Sequence, residues 1–229
     1  MSTQFFLASQ SPRRRELLTQ AGYRFEVIRA DIAELPAPDE TPVHYAQRIA
    51  RDKAAAGLRI APAPLPVLAA DTDVAIGQEI LGKPRDEDDA VRMLLALSGR
   101  AHQVVSAVSL AHASRSESLL TVTQVLFAEL TEREARAYWA TGEPQDKAGA
   151  YAIQGLGARF VREINGSYTG VVGLPLAETC ELLGRFGILS ALPKQGDLDA
   201  LAGGWTAAQA GEFEKVVAPF SGLDPKLSR

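Results

Sequence analysis

The chain of 229 residues predicts an α/β fold built on a mixed β-sheet with flanking helices. Apolar runs of strand length alternate with stretches whose apolar residues recur at helical spacing, the order of an α/β fold. Residues 102–113 and 118–130 break this alternation. HQVVSAVSLAHA and SLLTVTQVLFAEL are long β-branched runs in succession, so they read as a strand pair within a mixed sheet.

Each element has its own signal. Residues 4–9 read as a first strand and 11–22 as a helix ended by Gly22. Ser11 is a suitable N-cap, and Pro12 fits the first helical position, where a missing N–H costs nothing. YRFEVIRA, residues 23–30, is a second strand. Residues 41–58 form a helical pattern with Pro42 near its start and Gly57 near its end. PVLAADTDVAI, residues 66–76, is a strand with an acidic interruption, and Gly77 turns the chain into EILGKP. Residues 86–97 make a helix with its acids at the N-terminal end, the favourable sign. Residues 131–141 form another, capped by Thr131. FVREINGSYTGVVGLPL is a strand and loop, and 176–187 a last helix. Beyond about Leu189 the composition shifts to Gly, Pro and Ala. The expected organisation is therefore a domain over 1–189 and an extension over 190–229 with a short helix and loop.

Composition bounds the function. A net charge of −4 argues against a bulk nucleic-acid binder, so local basic clusters carry more meaning than the total. The single cysteine, Cys180, excludes an internal disulfide and a CxxC metal site. It lies in an amphipathic helical stretch, where a free cysteine packs as a small hydrophobe. MSTQFFLASQ lacks the basic and long apolar regions of a signal peptide. The longest apolar stretch, residues 60–70, is too short to span a bilayer and holds three prolines. A cytoplasmic protein without a membrane partner is expected.

The chemistry-bearing stretches are dispersed. Arg13, Arg14 and Arg15 open a helix, where the partial positive charge of the N-terminus disfavours cations by roughly 0.3–1 kcal/mol each. They splay into water or face an anion. Asp71 and Asp73 share one face of a strand, and a carboxylate there needs a metal, a cation or a turn to cap. Lys53 sits on a helix with an apolar face, and Lys83 follows a hairpin-like turn. DKAGAYAIQG places glycines around Gln154, letting backbone N–H groups approach a ligand. Nucleophile-elbow, Walker A and HExxH patterns are missing, and the three histidines are scattered. Arginines at a helix N-terminus, separate lysines and an acidic strand end suit a triphosphate with a divalent metal.

LASQSPRRRELL, DETPVHYAQRIARDKA, AADTDV, LGKP, LSGRAHQVVSAV, TGEPQDKAGAYAIQG and INGSYTGVVGLPL together resemble the Maf family of nucleoside triphosphate pyrophosphatases. They run from residue 5 to about 189 in the family's order, and DKAGAYAIQG is similar to the branch that hydrolyses dTTP and UTP. The resemblance implies a twisted mixed sheet, two lobes and a deep cleft. It implies Asp71 as the catalytic carboxylate, acting as general base on water or holding the metal that activates it. By the same resemblance Ser9, Arg14, Lys53 and Lys83 bind phosphate, Glu34 joins Asp71 at the metal, and Arg13, Thr72 and Gln154 bear on base choice. Two positions depart from the family: Asp73 stands where an apolar residue is common and takes no metal here, and Ala33 stands where an acid is common. The implied ion is Mg²⁺, with Mn²⁺ as the alternative. The implied partner is a nucleoside triphosphate and no stable nucleic acid, and a homodimer is left open. Two rivals remain at this stage: a nucleotide- or RNA-binding regulator of septum formation, and a sugar-phosphate phosphatase that would release orthophosphate.

Overall fold

The structure is a computed structural model, and it describes residues 2–191. Seven strands, β1 (Phe5–Leu7), β2 (Phe25–Val27), β3 (Val67–Ile76), β4 (Glu79–Leu81), β5 (Ala101–His112), β6 (Arg115–Phe127) and β7 (Val161–Asn165), form one sheet. Six helices accompany them: α1 (Pro12–Gln20), α2 (Pro42–Ile60), α3 (Glu87–Leu97), α4 (Glu132–Trp139), α5 (Tyr168–Val172) and α6 (Leu176–Arg185). Strand order is β2-β1-β3-β5-β6-β7, with β4 also on β3. β1 pairs parallel with β2 and β3, and the other pairings are antiparallel. The mixed sheet expected from the sequence is the observed one.

The pairing of β3 positions the site. One edge pairs with β5 from Val67 to Ala75. The other pairs with β1 at Val67 and Leu68 and with β4 from Val74 to Ile76. Between these, residues 69–73 have no strand partner on that edge. A central, buried strand thus exposes a short backbone window, and side chains from both sides reach into it.

Alternation divides the core. Phe5, Leu7, Leu68, Ala70 and Val74 belong to the large apolar cluster with α1, α3 and α6. Phe6, Ala8, Val67 and Ala69 face the other way and pack with Ala54 of α2, while Ala46 and Ala50 meet Val105 and Ala107 of β5. Apolar positions of α2 recur every three or four residues, so one stripe meets the sheet. In β3 this parity directs Asp71 and Asp73 toward α2 and Thr72 toward α1.

Several boundaries depart from the sequence reading. Gly57 does not end α2, which continues to Ile60. It is buried where the helix crosses the sheet, and a Cβ there would lie 2.7 Å from Val67 Cγ1. The expected strand 23–30 shrinks to three residues, and β1 is also shorter than expected. Ser11 is the N-cap of α1 by position, but its side chain makes no capping hydrogen bond. Residues 168–172, expected as loop, form α5, capped by Ser167. Thr131 does cap α4, in a reciprocal box with Glu134. Cys180 is half-buried against the large cluster. Residues 1–190 form a compact unit. The helix and loop expected within 190–229 fall, beyond Ala191, outside the described residues. Among the described residues no helix is long and apolar enough to cross a membrane.

Candidate active site

A cleft of about 730 Å³ opens over the unpaired window of β3. Ser9, Arg13, Arg14, Glu34, Lys53, Asp71, Thr72, Lys83 and Gln154, the nine residues singled out in the sequence, all line it. They come from the end of β1, the start of α1, the loop after β2, α2, β3, the turn after β4 and the loop before β7. Apart from Ser9 and the start of α1, these segments are far apart in sequence, so the group is assembled by the fold.

At the floor, Lys53 is almost fully buried and its ammonium lies 2.8 Å from both Asp71 Oδ1 and Glu34 Oε2. Burial of an ammonium is expensive, and two carboxylates offset that cost. The three side chains thus converge on a single point. Asp73 lies beside them, and its Oδ2 is buried without a hydrogen-bond partner. Burial, then the charge of Asp71 and a hydrogen bond to it, push the Asp73 carboxyl well above the usual carboxylate range, against Lys53 and Arg14. Tyr45 closes this side, its hydroxyl donating to the Glu34 carbonyl at 3.1 Å.

The three arginines separate. Arg14 turns inward: Nε donates to the Gly173 carbonyl at 2.8 Å, Nη1 to the Ala70 carbonyl at 2.8 Å and Ser9 Oγ at 3.1 Å, and Nη2 to Thr72 Oγ1 at 3.2 Å. Ala70 lies in the unpaired window of β3, so its carbonyl is free of a strand partner on that edge. Four of the five guanidinium N–H bonds are engaged by protein, leaving one on Nη2 for a ligand. Burial lowers the Arg14 pKa from its ordinary value, while Asp71, Glu34 and Asp73 oppose it. Arg13 is half-buried and feels Glu143, and Arg15 is exposed and outside the cleft. Of the three arginines, Arg13 and Arg14 thus face the cleft and Arg15 faces water, because consecutive helix residues point about 100° apart. Lys83 is exposed at the rim, and Gln154 is exposed on a loop whose neighbours Ala152 and Ile153 are buried.

Residues 4–186 match the family described as Maf-like protein. The chain belongs to the Maf family. Among curated Maf relatives, the dTTP/UTP pyrophosphatase of Saccharophagus degradans is 55% identical over 188 residues, covering 81% of this chain and 90% of that one. The protein of the same name from Photobacterium profundum is 51% identical over 191 residues, 81% of this chain and 97% of that one. The Vibrio cholerae protein, also so named, is 53% identical over 180 residues, 79% of this chain and 96% of that one. A solved HAM1 protein from Coxiella burnetii is similar at 18% identity and a TM-score of 0.45, over 80% of this chain and all of that one.

Behind the residues that line the cleft stand others that the sequence did not single out. Ser106, opposite Thr72 on β5, is buried and donates to the Gly170 carbonyl at 2.8 Å. Its signal was a polar residue in an apolar strand run. Thr72 Oγ1 meets the Gly173 carbonyl at 3.2 Å, which ties β3 to the end of α5. Glu143 and Tyr138 stand behind the Gln154 loop, and TGEP gave no sign of it because the contact is long-range.

Proposed function

We propose that this chain hydrolyses nucleoside triphosphates, dTTP and UTP foremost, to nucleoside monophosphate and pyrophosphate. The observation that supports it most is the convergence of Asp71, Glu34 and Lys53 on one point in a cleft also lined by Arg14 and Lys83. The names borne by the Maf relatives support the substrate class.

A divalent cation would be held by the floor carboxylates together with the substrate. Asp71 and Glu34 each give one oxygen to the Lys53 ammonium, so their remaining carboxylate oxygens would join phosphate and water oxygens around the ion, the donor type Mg²⁺ takes. Mg²⁺ is the ion we assign, with Mn²⁺ as the alternative. When bound, the ion neutralises phosphate charge and acidifies water. Asp71 accepts the proton of the attacking water or serves as ligand; both roles place it at the reacting oxygen.

Water attacks the α-phosphorus, the bond to the bridging oxygen breaks, and pyrophosphate leaves with that oxygen. Lys53 sits beside Asp71 and orients it, and its charge also meets the phosphates. Arg14, through its remaining N–H, and Lys83 stabilise charge that grows on the leaving group. Ser9 holds Arg14 and contributes a hydroxyl to the phosphate wall. Arg13, Thr72 and Gln154 line the part of the cleft where the base is read. Thymine and uracil present carbonyl and N–H groups that a carboxamide matches, whereas cytosine opposes donor to donor.

The experiment is a panel of dTTP, UTP, CTP and dCTP with Mg²⁺, assayed separately for pyrophosphate and orthophosphate. Stoichiometric pyrophosphate from dTTP and UTP is expected. Orthophosphate alone would refute the reading and favour a phosphatase.

A further inference from the structure

Gln154 is exposed, and no helix or strand holds it. Its loop is nonetheless tied on both sides. Two residues before it, the Ala152 N–H donates to Tyr138 Oη at 3.0 Å. Two and three residues after it, the Leu156 N–H donates to Glu143 Oε2 at 2.9 Å and the Gly157 N–H to Glu143 Oε1 at 3.0 Å. The Tyr138 hydroxyl closes the circuit by donating to Glu143 Oε1 at 2.6 Å. One phenol and one carboxylate therefore satisfy three backbone donors that flank Gln154.

The fit leaves no slack. A Cβ on Gly155 would lie 2.1 Å from Glu143 Oε2, and one on Gly157 would lie 2.5 Å from Tyr138 Oη. At Gly157 the backbone of Ala152 also comes within 3.0 Å of that position, so a side chain at either glycine would push on the clamp or on the loop it holds. The clamp is itself anchored. Tyr138 is buried on α4, and its ring meets Phe160 edge-on at 5.1 Å. Burial raises the Tyr138 phenol, which stays protonated and keeps donating. Burial also raises the Glu143 carboxyl, but the bonds from Tyr138, Gly157 and Leu156, with the charge of Arg13, outweigh it and keep Glu143 ionised. Arg13 and the Gln154 loop thus both act on one carboxylate, the loop through hydrogen bonds and Arg13 through its charge.

We infer that Glu143 and Tyr138 are positioning residues for base selection, holding the 152–157 loop so that it presents Gln154 to the base at a fixed place beside Arg13. This rests on the proposed reading of the base by that part of the cleft. Glu143 touches no substrate in this scheme. A polar match discriminates only while its groups are held in place, since a mobile amide reorients to suit the wrong base.

The test compares Glu143→Gln, Tyr138→Phe and Gln154→Ala with the full wild-type chain. Glu143→Gln keeps the volume but sets an amide NH₂ against backbone donors. The readouts are the UTP-to-CTP ratio of kcat/KM, and hydrogen exchange at the amides of Ala152, Leu156 and Gly157. The ratio is expected to fall about tenfold in both clamp variants, as for one misplaced hydrogen-bonding group. Exchange is expected to quicken at Leu156 and Gly157 in Glu143→Gln and at Ala152 in Tyr138→Phe. A purely structural role would lower activity on both nucleotides alike. An unchanged ratio in both variants therefore overturns the inference, whatever the overall rate. A ratio lost in Gln154→Ala but kept in the clamp variants overturns the clamp and leaves the base reading standing. A wild type with no preference overturns both. A ratio kept in Gln154→Ala but lost in the clamp variants supports the clamp and transfers the reading to the loop backbone.

Discussion

Asp71 carries the most chemistry of any single residue. Replacing it by Asn keeps the size and removes basicity and charge, so kcat is expected to fall about 10²–10⁴-fold, as on losing a general base. Near-normal turnover would remove Asp71 from both proposed roles. The cations separate by placement. Arg14→Ala, Lys53→Ala and Lys83→Ala should each lower kcat/KM strongly, whereas Arg15→Ala should leave it within about twofold, because Arg15 points away from the cleft. Equal losses at all four would indicate a general field and no specific site. His102 makes a stability prediction. It is buried, with Nε2 2.9 Å from the Tyr151 hydroxyl and Nδ1 unpartnered, and burial lowers its pKa to about 4. The unfolded chain binds the proton more readily, with a pKa of about 6.5, so the contribution is whole above that pH. It is lost as pH falls from there toward 4, by up to about 3 kcal/mol. The melting temperature of wild type should therefore drop more between pH 7.5 and 5 than that of His102→Gln; parallel drops would contradict this. The residue types of the site were legible in the sequence because charged groups interrupt apolar runs there. Their partners were not, since Lys53 meets Asp71 across 18 positions and Arg14 meets Gly173 across 159.

At the element scale, Gly57 tests why the helix after residue 41 is longer than its sequence suggests. Read locally, a glycine near Leu58 signals a helix end. In the fold it is the point where α2 crosses closest to β3, with Val67, Ala8 and Ile28 around the missing Cβ. Tertiary approach overrides the local preference. Gly57→Val should therefore destabilise by about 1–3 kcal/mol, the usual cost of overpacking, although valine is the better helix former. A thermal melt at or above the wild-type value would show that the neighbours yield. The helix α4 was legible to its capping residue, because a box of Thr131 and Glu134 is local. The helix α5 was not. Its five residues YTGVV are too short for periodicity, and its place is set by Ser167 and by contacts to β5 and β6. The tight turns of residues 143–160 were hidden for the same reason, and the site's loop geometry with them.

At the scale of the molecule, the mixed sheet was legible and its gap was not. Two successive β-branched runs announce an antiparallel pair, but nothing local says that β1 and β4 share one edge of β3 and leave residues 69–73 unpaired. That window gathers the nine residues into one cleft, all of them within residues 1–190. A chain ending at Ser190 is therefore expected to keep kcat/KM for dTTP within about threefold, measured beside the full chain; a loss of activity would place part of the working site beyond it. Attack by water on the α-phosphorus is read out by label from ¹⁸O-water. Hydrolysis of dTTP in labelled water, read by mass spectrometry of the products, should place one ¹⁸O in the monophosphate and none in the pyrophosphate. Label in pyrophosphate, or in orthophosphate released with the diphosphate, would contradict the account.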